Sequence, residues 1–115
     1  MKILVCGDRN WSDIFAIKRE LQKFSGDVTI VHGAARGADS IAGDVAKSLG
    51  FKVEVYPAKW NELGRAAGPI RNMEMLQTGP DLVLAFHPDL GRSKGTANMV
   101  SIARKKGVKV IHFTS

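Results

Sequence analysis

The chain has 115 residues and carries 17 Lys and Arg against 11 Asp and Glu, a formal charge of +6. That length predicts one domain over residues 1–115, and at this size folding buries roughly 60–70% of the unfolded surface, enough for a core without staples. With 44% hydrophobic and 24% charged residues the composition excludes disorder, no apolar run approaches the roughly 20 residues of a membrane helix, and a single cysteine, Cys6, excludes an internal disulfide framework. The N-terminal MKILVCG is too short and too soon broken for a secretory signal, so a cytoplasmic location is expected. A sequence pI near 9.8 raises nucleic acid as a partner.

The first apolar run, Ile3 to Cys6, reads as a strand. Ile14, Ile17, Leu21 and Phe24 then recur at helical spacing, with Ser12 as the expected N-cap and Gly26 as the stop. Val28 to His32 is the second expected strand. Ala38, Ile41, Ala42, Val45, Ala46 and Leu49 follow i, i+3, i+4, i+7, i+8, i+11, the clearest helix in the chain, closed by Gly50. A third strand is expected at Lys52 to Tyr56. The connection Pro57 to Gly68 reads as long and irregular, and such a loop in a compact domain is usually functional. Pro69, a good first-turn residue, opens a third helix through Ile70, Met73 and Leu76 to Gly79-Pro80. Leu82 to Phe86 is the fourth strand, Thr96 to Lys106 the fourth helix, with Arg104, Lys105 and Lys106 at the negative end of its dipole, and Val108 to His112 the fifth strand. The continuously apolar runs predict strands buried on both faces. Their alternation with helices predicts an α/β fold, a Rossmann-like three-layer sandwich with a five-stranded parallel sheet in the order 3-2-1-4-5.

In an open parallel sheet the ligand crevice lies beyond the carboxyl ends of the strands, where strand order reverses. Gly7-Asp8-Arg9-Asn10-Trp11 follows the first strand, Gly33-Ala34-Ala35-Arg36-Gly37-Ala38-Asp39-Ser40 the second, and His87 to Thr96 the fourth. Glycine there lets backbone approach a ligand closely, and the helix N-terminus that follows adds N–H donors and partial positive charge, which suits phosphate. The alternative for each loop taken alone is a tight turn. Walker A spacing and a dinucleotide fingerprint are both absent. Gly64 to Asn72 is a third candidate: Arg65 and Arg71 flank a helix start and suit a phosphate or carboxylate, or else belong to a solvated loop. Trp60 either stacks on a base or staples its loop to the sheet. Cys6 is expected to be a core residue rather than a reactive thiol. His32, His87 and His112 each end a strand, but those strands are not mutual neighbours in the expected order and nothing supplies ligand spacing, so neither a metal nor another cofactor is expected. Asp39 suits either a helix first turn or a ribose hydroxyl.

Val5-Cys6-Gly7-Asp8-Arg9, the block His32 to Asp39, Pro57-Ala58-Lys59-Trp60, Ala67 to Asn72 and Gly95-Thr96 together resemble the SLOG superfamily of Rossmann-like nucleotide-ligand-binding domains. The resemblance covers nearly the whole chain and is nearest the small YspA/YpsA-related branch, with bacterial and phage members. It implies that the two glycine-rich turns form a phosphate-facing pocket. It also implies a comparison with LOG-type nucleoside-monophosphate phosphoribohydrolases, which carry an Arg-Lys helix motif and a P-G-G-x-G-T-x-x-E turn. Arg71-Asn72 matches the first in its arginine, whereas Gly91 to Met99 keeps Gly95-Thr96 but has Met99 where the acid is expected. Without that carboxylate the ribose centre lacks an obvious agent, leaving Arg71 and Asp39, or Asp8, as catalytic candidates.

The expectation is therefore a binding module for a nucleotide or nucleotide-derived ligand. Gly7, Asp8 and Arg9 would line its floor, and the backbone of Gly33, Ala34, Ala35, Arg36 and Gly37 and of Ser93, Gly95 and Thr96 would hold phosphate. Asp39, Trp60, Arg65, Arg71 and Asn72 would complete the site. A phosphoribohydrolase-like enzyme in the same pocket is the first alternative, and single-stranded DNA binding, as in the DprA relatives, is the second. Superfamily relatives often pair through helices, which implies a possible homodimer. Up to Pro57 the chain holds 8 basic and 7 acidic residues, and beyond it 9 and 4, so the excess charge sits where the later ligand loops are.

Overall fold

The computed structural model describes residues 1–115. Five strands, β1 (Lys2–Gly7), β2 (Thr29–His32), β3 (Lys52–Val55), β4 (Leu82–Phe86) and β5 (Lys109–Phe113), form one sheet in the order β3-β2-β1-β4-β5. Every neighbouring pair is parallel, with Leu4 opposite both Val31 and Val83, and Gly7 opposite Phe86. This is the expected class and strand order.

Successive side chains of a strand point to opposite faces, and the helices cover both. Ile3, Val5, Ile30, Leu84 and Phe86 face α1 (Ile14–Leu21) and α2 (Ala38–Ser48), meeting Ile17, Leu21, Ala42 and Ala46. Leu4, Val31, Val83 and Ala85 face the other way, onto Met75 and Leu76 of α4 (Ala67–Gln77) and Met99 and Val100 of α5 (Gly95–Lys105). Each fully buried side chain of this kind contributes about 1.5–3 kcal/mol. Trp11 meets Phe86 edge-on at 5.5 Å, and Phe86 stacks on Phe113 at 4.8 Å, tying the β1–α1 turn to the sheet's far side.

Several expectations are corrected in detail. β1, β2 and β4 are buried on both faces, but the edge strands β3 and β5 are part-exposed, because each has one neighbour. The N-cap of α1 is Asp13 rather than Ser12: its Oδ1 accepts the Ala16 amide at 3.1 Å. That helix ends at Leu21, short of Phe24. Pro57 to Gly68 is not irregular throughout, since a short α3 (Trp60–Leu63) and a 3-10 turn (Gly64–Ala66) lead directly into α4. Pro69 therefore sits third in α4 instead of first. The position is tolerated because first-turn amides have no intrahelical acceptor to lose. No helix is long and apolar enough to cross a membrane.

Candidate functional site

Strand order reverses between β1 and β4, and the carboxyl ends of these strands open on a cavity of about 340 Å³. Four pieces of chain line it: Cys6 to Asn10, Ala35 with Asp39, Arg71, Asn72 and Met75 of α4, and His87 with Arg92 to Thr96. Of the residues singled out from the sequence, the structure brings together Gly7, Asp8, Arg9, Ala35, Asp39, Arg71, Asn72, Ser93, Gly95 and Thr96. Gly33, Ala34, Arg36, Gly37, Trp60 and Arg65 lie outside the lining. Trp60, 53% exposed, belongs with Ala58, Lys59, Asn61 and Glu62 to a separate shallow cleft. Asn10 and His87, which belong to the loops singled out after β1 and β4 without a role of their own, also line the cavity, as does Met75, which no sequence signal marked. His87 had one usable signal, its place directly after β4 at the switch point.

The β2–α2 turn is closed by the chain itself. Asp39 Oδ2 accepts the amides of Gly33 at 2.9 Å and Ala35 at 3.4 Å, and His32 Nδ1 accepts that of Ala34 at 3.0 Å. Of the five amides expected to hold phosphate, those of Gly33 and Ala35 are thus engaged by a resident carboxylate and that of Ala34 by an imidazole. Asp39 is 5% exposed, and burial pushes its carboxyl up to about 6, against the opposing pull of the Gly33 and Ala35 amides and of Arg71. Gly37, at φ +73°, presses against the Asp8 and Arg9 backbone, where a Cβ has no room. Ala38 N–H also donates to Asp8 O at 3.1 Å, so the first two turns pack as one unit.

Arg71 and Asn72 hold the remaining pieces. Arg71 Nη1 donates to Gly33 O at 2.5 Å and Tyr56 O at 3.4 Å, while its Nε donates to Asn72 Oδ1 at 3.1 Å. Asn72 Nδ2 in turn donates to Gly95 O at 3.2 Å and Asn98 Oδ1 at 3.0 Å. One pair of adjacent residues on α4 therefore clamps the β2–α2 turn and the start of α5. Burial lowers the Arg71 pKa, opposed by Asp39. Cys6 is buried and its thiol is raised by that burial, which disfavours the nucleophilic thiolate.

The β4–α5 turn is more open. Ser93 Oγ accepts the Thr96 amide at 2.9 Å, one of the first-turn donors that an α-helix leaves without intrahelical acceptors. Arg92 and Lys94 are exposed beside it. Helix dipole, first-turn amides and two cations, of which Arg92 lies 3.6 Å from Asp89 Oδ2, thus coincide at one end of the cavity, where an anion is favoured.

A family model described as the YspA, cpYpsA-related SLOG family matches residues 1–63. "Gene 61 protein" of Mycobacterium phage D29 is 40% identical over 121 aligned residues, which take in 97% of this chain and 95% of that one. The chain belongs to the YspA, cpYpsA-related SLOG family. Among solved structures, DNA processing protein A (DprA) from Streptococcus pneumoniae is similar at a TM-score of 0.54 and 17% identity, over 98% of this chain and 59% of that one. That likeness is one of fold, and the chain spans well under two thirds of DprA. The region matched by the SLOG model ends at the last residue of α3 and so includes the first two turns. Arg71, Asn72 and the β4–α5 turn lie beyond it. In this SLOG chain Met99 is fully buried in the core under α4 and α5, so the position that bears an acid in the LOG-type turn offers the cavity nothing.

Proposed function

We propose that this SLOG chain binds a nucleotide or nucleotide-derived small ligand in the cavity between β1 and β4, with the ligand's anionic group at the start of α5. The carrying observation is the convergence of Arg92, Lys94 and the Ser93–Thr96 turn on a cavity of about 340 Å³, at the small end of the ~300–1,000 Å³ typical of ligand sites. Because the Gly33 and Ala35 amides already serve Asp39, the anion is received by the β4–α5 turn. Arg71 acts mainly by positioning: two of its three nitrogens hold the chain's own oxygens. Native mass spectrometry of protein purified from cells tests this reading. A co-purified phosphate-bearing small molecule, lost in an Arg92→Ala/Lys94→Ala variant, is expected. Absence of an adduct, together with no binding of added nucleoside monophosphates, overturns it.

One observation favours an enzyme in the same pocket. Asp39 lines the cavity and its carboxyl is raised to about 6, near the range useful for general acid or base work. Incubation with nucleoside monophosphates followed by chromatography separates the readings. Intact nucleotide accords with binding alone; free base that disappears in Asp39→Asn establishes hydrolysis.

A further inference from the structure

Three side chains in the cavity wall carry polar atoms that nothing in the chain occupies. Asp39 (5% exposed), Thr96 (5%) and His87 (9%) all line the cavity. Asp39 Oδ2 receives both turn amides, leaving Oδ1 without a partner. His87 Nδ1 accepts the Asp89 amide at 2.9 Å, which fixes the imidazole proton on Nε2, and Nε2–H has no acceptor in the chain. Thr96 engages Ser93 through its amide, so its hydroxyl is also unpaired. No side-chain nitrogen or oxygen sealed from solvent lacks a partner. These three atoms therefore reach solvent, and all three residues line the cavity.

An acceptor, a donor and a hydroxyl served only by solvent, on three residues lining one cavity, outline a ligand able to replace that water. Vicinal hydroxyls match it, since each both donates to a carboxylate and accepts from an imidazole N–H. A heteroaromatic base matches it poorly. The lining has no aromatic carbocycle, its apolar members are small or flexible (Cys6, Ala35, Met75), and Trp60 lies in the other cleft. We propose that the inner part of the cavity recognises the hydroxyls of a sugar phosphate through Asp39, His87 and Thr96, with the phosphate at the Arg92–Gly95 rim and any base left outside. The proposal rests on the reading that an anion sits at the start of α5.

Calorimetric titration of the intact chain with ribose 5-phosphate, methyl phosphate, inorganic phosphate and adenosine 5′-monophosphate tests it. Ribose 5-phosphate is expected to bind about tenfold or more tightly than methyl or inorganic phosphate, the worth of a hydrogen bond to a buried charged group, and no more weakly than the nucleotide. In His87→Asn, whose Oδ1 can still accept the Asp89 amide while no N–H remains at the Nε2 position, the lead of ribose 5-phosphate over methyl phosphate collapses. Equal affinity of the wild-type protein for ribose 5-phosphate and methyl phosphate overturns the sugar assignment and leaves the anion reading standing, as does a nucleotide bound tenfold more tightly than its sugar phosphate. Failure of all four probes to bind overturns both. The wild-type comparison needs no variant to fold.

Discussion

A Cβ on Gly33 would meet the guanidinium end of Arg71, which must then move aside. Gly33→Ala is therefore expected to displace Arg71 from Gly33 O and to lower stability by about 1–3 kcal/mol through the hydrogen bonds lost from a charged group. An unchanged denaturation midpoint would contradict this. Asp39 makes a second prediction. Its folded-state pKa of about 6 lies above the ordinary aspartate value of 3.8, so its contribution to stability is fully present below about 4 and is lost as pH rises through about 6. The gap is worth about 3 kcal/mol. The unfolding free energy of the wild type minus that of Asp39→Asn should fall by roughly that amount between pH 4 and 7, and a pH-independent difference would show that burial does not govern this carboxyl. The importance of Gly7, Gly33 and Gly37 was legible in the sequence, but its reason was not. The sequence suggests room for a ligand, whereas the space is taken by Phe86 O, Arg71 and the Asp8–Arg9 backbone. His87 was legible as a strand-end residue and illegible as a donor, since its tautomer depends on how residues 88–89 curl back onto the ring.

Among the elements, α4 organises the site, although the sequence pattern marks it mainly as an apolar stripe. Asn72 is buried and bridges α4 to Gly95 and Asn98. Asn72→Ala is expected to cost about 1–3 kcal/mol by stranding those partners and to speed amide exchange in the first turn of α5 relative to its last. Uniform exchange along α5 would sink the bridging role. Strand and helix alternation was readable because burial imposes periods of 2.0 and 3.6 on the apolar residues. α3 was not, since none of Trp60 to Leu63 is buried and an unburied turn leaves no period to read. The shift of the α4 start from Pro69 to Ala67 has a similar origin, because proline is acceptable anywhere in a first turn.

For the molecule as a whole, the excess positive charge divides between the two ends of α5. Arg92 and Lys94 stand at its start by the cavity, while Arg104 and Lys105 close its last turn and Lys106 and Lys109 lie just beyond it. The 11 residues of α5 place about 16 Å between the groups, roughly two Debye lengths at physiological salt. Lys105→Ala/Lys106→Ala should therefore leave affinity for a small phosphorylated ligand within about twofold at that salt, as read by calorimetry. A tenfold loss would instead indicate one continuous basic track, as a nucleic-acid partner requires. Family, fold class and strand order were all readable from motifs spread along the chain. The cavity's place beyond the strand ends was readable as well, but which turn keeps its amides for itself was not.

The proposed function brings phosphate-bearing ligands in between β1 and β4. Titration of isotopically labelled protein with adenosine 5′-monophosphate, followed by amide chemical shifts, tests it residue by residue. The largest shifts are expected at Gly7 to Asn10, at Arg71 and Asn72, and at Arg92 to Thr96. Shifts confined to Ala58–Glu62 or to Arg104–Lys109, or none at saturating ligand, would contradict it.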